Sequence, residues 1–115
     1  MTTKRLEILT TEWKRRLRLQ DWETAVSFEP RDKINGDGQT LYNAQLKTAK
    51  ISIITEETYQ NPTGTQPYDP EEILVHELLH LPFAGIDKFK GLAYTQFEVA
   101  IDLIAMGLVK AKRGE

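Results

Sequence analysis

Leu6, Leu9, Trp13 and Leu17 recur at helical intervals through residues 3–19, with charged side chains between them. That spacing predicts an amphipathic first helix. Over 22–28 the period changes to two: Trp22, Thr24, Val26 and Phe28 alternate with their neighbours, as in a strand. Pro30 ends that strand. Asn35-Gly36-Asp37-Gly38 is a turn signal. Residues 40–47 and 49–54 read as two further strands, of which Ile51-Ser52-Ile53-Ile54 carries the strongest β preference. The three prolines and one glycine of 61–70 predict a loop.

A second helix opens at Asp69-Pro70-Glu71-Glu72. Asp69 can cap it, Pro70 suits its first position, and Glu72 completes a capping box. Ile73, Leu74, Leu78, Leu79 and Leu81 are nearly continuous, so this helix is expected to be buried on most sides until Pro82 stops it. A connection over 83–91 with Gly85 and Gly91 leads to a last helix, about Leu92 to Lys110. Phe97, Ala100, Ile101, Ile104 and Leu108 supply its expected inward stripe. The pattern predicts an α+β fold: an N-terminal helix, a small curved mixed sheet of three or four strands, then two helices packed beneath it.

Composition narrows the picture without changing it. The chain has 115 residues, 40% hydrophobic and 28% charged, which suits a single domain over 1–115. A formal net charge of −2 gives no reason to expect nucleic-acid or anionic-membrane partners. The basic cluster Lys14-Arg15-Arg16 with Arg18 reads as the solvated face of the first helix, and Trp13 and Trp22 as core. No cysteine is present, which removes disulfides, thiolate metal sites and cysteine nucleophiles. The N-terminal segment lacks an apolar signal core, and no run approaches membrane-spanning length. A cytoplasmic location is therefore expected.

The chemistry concentrates in His76-Glu77-Leu78-Leu79-His80, which uses both histidines of the chain. Four residues apart on a helix, the imidazoles share one face and can reach one ion. Glu77, between them, can reach a water on that ion as a general base rather than a ligand. A catalytic zinc needs a third protein ligand. With no other histidine and no cysteine, that ligand must be an acid. Asp87 lies seven residues past His80, and Glu98 eighteen. Glu98 is favoured. It sits among Phe97, Val99, Ala100 and Ile101, where an unpaired buried charge is costly and a cation removes the cost. Asp102, one turn on, can accept a hydrogen bond from the outer nitrogen of a ligand histidine.

His76-Glu77-Leu78-Leu79-His80 followed by Glu98-Val99-Ala100-Ile101-Asp102 resembles the gluzincin clan of metallopeptidases, the thermolysin-like group, reduced to a minimal catalytic core. The resemblance implies a zincin-like fold and one Zn2+ per chain held by His76, His80 and Glu98. Glu77 would activate the zinc-bound water and Asp102 would orient His76. It also implies peptide-bond hydrolysis, with narrow specificity for a peptide or protein substrate. A weaker echo, Asn43-Ala44-Gln45-Leu46, falls where such enzymes carry a substrate-pairing stretch on the sheet edge, with Leu46 in place of an aromatic residue. The chain lacks the domain that walls the cleft in typical members, and no histidine remains to stabilise an oxyanion. Tyr94, Tyr68 and Tyr59 are the candidates for that task. Two alternatives stay open: a catalytically inactive zinc-binding interaction module on a peptidase scaffold, and a different metal hydrolase or interaction protein. The sequence sets neither the substrate nor the oligomeric state.

Overall fold

A computed structural model describes residues 1–86 and 88–115. The fold is mixed α+β, with three helices and a three-stranded mixed sheet among the described residues. Helix α1 runs over Thr3–Arg16, started by the Thr2 hydroxyl, which accepts from the Arg5 N–H. It ends before the expected residue 19 because Arg18 turns into the left-handed region at φ 61°, and the chain reverses there. Strand β1 (Glu23–Glu29) follows, then β2 (Gly38–Asn43) and β3 (Thr48–Ile54). Strand β3 is central, parallel to β1 and antiparallel to β2, which leaves β2 at the edge.

Strand β2 differs from the expected 40–47 at both ends. It starts at Gly38, inside the presumed turn, and stops at Asn43. The Asn43 side-chain oxygen accepts from the backbone N–H groups of Gln45 and Leu46, both at 3.0 Å, and closes the hairpin as an Asx turn.

Helix α2 (Pro70–Leu78) is capped as expected, with the Asp69 carboxylate accepting from the Glu72 N–H. Leu79 and His80 keep right-handed helical backbone before a short 3-10 turn, Leu81–Phe83, that contains Pro82. Helix α3 (Leu92–Arg113) starts after Gly91 at φ 60° and ends at Gly114 at φ 77°, two positions that favour glycine.

Helix α1 lies against β1, α2 lies against β2 and β3, and α3 packs on α2. The core joins Leu6, Leu9 and Trp13 of α1, Ile51 and Ile53 of β3, and Leu74, Val75 and Leu78 of α2. Trp22 is buried with them. Helix α3 contributes Ile101, Ala105 and Val109. Its inward row is thus shifted from the expected stripe: Phe97 and Leu108 are partly buried, while Ala100 and Ile104 face solvent. Leu92, Val99 and Leu103 are exposed as well. By length and composition α3 is the one described helix that could cross a membrane, contrary to the expectation that no run approaches that length.

A polar clasp ties the three helices together at one end. The Trp13 indole N–H donates to Glu71 Oε2 at 2.7 Å, Lys112 pairs with the same oxygen, and Arg113 donates to Glu71 Oε1 at 3.1 Å. Arg113 also makes a two-pronged contact with Asp69, at 2.7 and 3.0 Å.

Candidate metal centre

Helix periodicity brings His76 and His80 onto one face at the end of α2, with ring centroids 5.5 Å apart. The crossing of α3 over α2 then sets Glu98 against both. His76 Nε2 lies 2.9 Å from Glu98 Oε2, and His80 Nε2 lies 3.1 Å from Glu98 Oε1. One ligand atom from each of the three residues falls within 4.8 Å of the other two. Asp102, one turn further along α3, meets the outer nitrogen of His76 at 3.2 Å. The His80 ring rests edge-on against Phe97, which also packs against Phe83 and Phe89, so an aromatic cluster backs this imidazole.

The donor set fits a cation. Both ring nitrogens of His76 face carboxylate oxygens. A neutral imidazole has only one N–H, so one of those contacts would set acceptor against acceptor. A positive charge between Nε2 and Glu98 removes the conflict, whether it is a proton or a metal. Glu98 Oε1 is buried without a hydrogen bond, although His80 Nε2 is 3.1 Å away. A buried carboxylate oxygen near a nitrogen, yet out of line with it, is free to accept a metal.

Glu77 is 5% exposed and points from α2 toward the sheet edge. Thr40 of β2 donates to its Oε1 at 2.7 Å. Its Oε2 lies 4.0 Å from His76 Nε2. Burial raises the Glu77 carboxyl above its ordinary value, and His76 and the Thr40 hydrogen bond offset part of that rise. Gly38 lies alongside. A Cβ there would meet Glu77 Oε2 at 2.7 Å, and Glu77 Cγ and Ile73 Cγ2 at 2.9 Å each, so the strand can approach the carboxylate this closely only with glycine.

These groups line one cleft of about 880 Å³, bounded by the Gly38–Thr40 end of β2, by α2 and α3, and by a loop containing Tyr59, Gln66 and Pro67. That loop supplies a wall the sequence did not anticipate. Tyr94 lines the cleft. Tyr59 does too, with its hydroxyl donating to the Gln66 carbonyl at 2.7 Å. Tyr68 does not line it. Its hydroxyl donates to the Ile54 carbonyl at 2.7 Å, and burial pushes its pKa up to about 12.

Asn43 and Ala44 do not line the cleft either. Asn43 is engaged in the hairpin turn, and Ala44 borders a separate depression beside Leu81 and Pro82. The edge-strand segment that reaches the cleft is Gly38–Thr40, which sequence reasoning missed. Its only signal was a glycine closing the turn sequence. Asp87 lies outside the described residues. No family model, curated protein or solved structure matches the chain.

Proposed function

We propose that the protein is a zinc-dependent metallopeptidase of the gluzincin kind, built on a zincin-like fold, that acts on a peptide or protein substrate. One observation carries this reading: ligand atoms of His76, His80 and Glu98 converge within 4.8 Å, with a buried carboxylate from the residue between the histidines beside them. His76, His80 and Glu98 would hold one Zn2+. When bound, the cation lowers the pKa of a water and polarises the scissile carbonyl.

The remaining work falls to the chain itself. Asp102 holds the His76 ring through Nδ1 and fixes its orientation. Glu77 is the general base. Its Oε2, the oxygen not bonded to Thr40, takes a proton from the attacking water. Water oxygen adds to the carbonyl carbon, the C–N bond breaks, and Glu77 returns that proton to the leaving amine. Strand β2 pairs with β3 on one side only, so its outer side can take up an extended peptide by backbone hydrogen bonds. Tyr94 lines the cleft and is the more exposed of its two lining tyrosines, and it would serve a developing oxyanion.

The test is zinc content measured together with hydrolysis of a peptide library. Glu77→Ala should abolish cleavage while zinc stays near one per chain. Loss of zinc in that variant would refute the ligand assignment. The exposed apolar side chains of α3 favour a second reading, a zinc-holding interaction module without turnover. In that case the wild-type protein would carry zinc and cleave no member of the library.

A further inference from the structure

We infer that Thr40 and Gly38 are positioning residues that keep Glu77 a base and prevent it from becoming a fourth metal ligand. The inference rests on the metal-centre reading above. Glu77 needs such control because of its place. Its Oε2 is only 4.0 Å from His76 Nε2, an atom that is itself 2.9 Å from Glu98. A carboxylate this near one of three converging ligand atoms could move onto a bound ion by rotating its side chain. Zinc accepts four protein ligands readily, and a closed tetrahedral set has no position left for solvent or substrate.

Strand β2 restrains that rotation in two ways. Thr40 Oγ1 donates to Glu77 Oε1 at 2.7 Å and lies 3.3 Å from the Glu77 carbonyl, so one hydroxyl registers both ends of the residue. Because Oε1 is held on the sheet side, the carboxylate cannot swing freely toward the histidines. Gly38 makes the resting place available. Its missing Cβ is the space that Oε2 and Cγ of Glu77 occupy. The backbone of Gly38 does not require glycine, since only the other glycines named at positive φ do. Its contact with Glu77 does. The edge strand therefore carries a steric allowance and a hydrogen bond, two residues apart, directed at the same carboxylate. Positions two apart on a strand face the same side.

The experiment uses the full chain loaded with Co2+, whose visible absorption reports coordination, and acetohydroxamate as a probe for a position open to exogenous ligand. Thr40→Val keeps the side-chain shape and removes the hydroxyl. It should still bind one Co2+ per chain, show an altered visible spectrum, and bind acetohydroxamate at least about tenfold more weakly than wild type, the scale of one hydrogen bond to a charged group. Thr40→Ser should stay within twofold of wild type. Thr40→Val combined with Glu77→Ala should recover acetohydroxamate affinity, because the competing carboxylate is gone. A merely structural role for Thr40 would not give that recovery. Gly38→Ala should shift the spectrum in the same direction as Thr40→Val.

Unchanged acetohydroxamate affinity in Thr40→Val, or no recovery in the double variant, overturns the inference while leaving the metal centre standing. A wild-type chain that takes up no Co2+ overturns both.

Discussion

Replacing Glu71 tests how α3 is held in place. Its carboxylate is the hub of the clasp, receiving the Trp13 indole at 2.7 Å, Arg113 at 3.1 Å and Lys112. Glu71→Ala leaves the indole N–H buried without that acceptor and breaks a largely buried ion pair. Loss of one partner of a buried pair costs about 3–5 kcal/mol. The lower end applies here, because Lys112 still has Glu12 at 3.5 Å and Arg113 still has Asp69. A loss of about 3 kcal/mol is expected. Glu71→Gln keeps a neutral acceptor for the indole and loses the charge, so about 1.5–3 kcal/mol is expected, the worth of a hydrogen bond to a charged group.

The pH dependence gives the sharper test. Burial pushes the Glu71 carboxyl up, but hydrogen bonds from Lys112, Trp13 and Arg113 outweigh it and hold it below its ordinary value of 4.5. A group with a depressed folded pKa stabilises fully above its unfolded pKa, and the contribution fades as pH falls through the folded value. Urea unfolding followed by far-ultraviolet circular dichroism should therefore show the full gap between wild type and Glu71→Gln at pH 7, and a narrowing gap below the unfolded value of 4.5. A gap under about 0.5 kcal/mol at pH 7, the size of an ordinary surface substitution, would refute the reasoning. So would a gap that does not change with pH.

Three further outcomes are expected. Asp102→Asn should weaken zinc binding by about 10- to 100-fold, the usual effect of losing a partner that orients a ligand histidine, and Glu98→Ala should weaken it by more; competition with a chromogenic chelator orders the two. Zinc held at a thousand times its dissociation constant should stabilise the fold by about 4 kcal/mol over the chelated protein, if the unfolded chain does not bind it; calorimetry with and without chelator measures this. Chelation should also speed amide hydrogen exchange in the first half of α3 while leaving β3 unchanged, and equal acceleration in both would show that the ion does not act locally.

Helical and strand periodicity made most of the elements legible. Leu6, Leu9 and Trp13 face the core as their spacing required, and Ile51 and Ile53 line the inner face of the central strand. The site was legible where its chemistry is local. Two histidines one turn apart need no tertiary knowledge, and Glu98 stood out because its apolar neighbours made a lone charge costly. What escaped depends on contacts distant in sequence. Thr40 meets Glu77 across 37 positions, and Gly38 is required by a side chain on another element rather than by its own backbone. The part of the wall formed by Gln66 and Pro67 read only as loop, because Pro and Gly mark where a chain turns and not what it then covers. The inward row of α3 moved because the crossing of α3 on α2 places Ile101, Ala105 and Val109 inside, and an all-round apolar helix does not announce which side it buries.

That last feature bears on how the site is assembled. Helix α3 spans 22 residues, yet its wholly buried residues are Ile101, Ala105 and Val109 alone, too narrow a stripe to fix its rotation by packing. Its C-terminal end is held by the clasp through Lys112 and Arg113, and its first turns by Phe97 against Phe83 and Phe89. Between those anchors, its polar contacts among the described residues include Glu98 and Asp102 on His76 and His80. His76 faces a carboxylate at each ring nitrogen, and as a neutral imidazole it can donate to only one of them, so the other contact is satisfied only with added positive charge. On the proposed reading, a cation bound there would join α2 to α3 between those two anchors and would also set the angle at which Glu98 arrives. Geometry and loading would then depend on each other, and for that reason the exchange experiment on α3 tests the same centre that the Glu77 variant tests by activity.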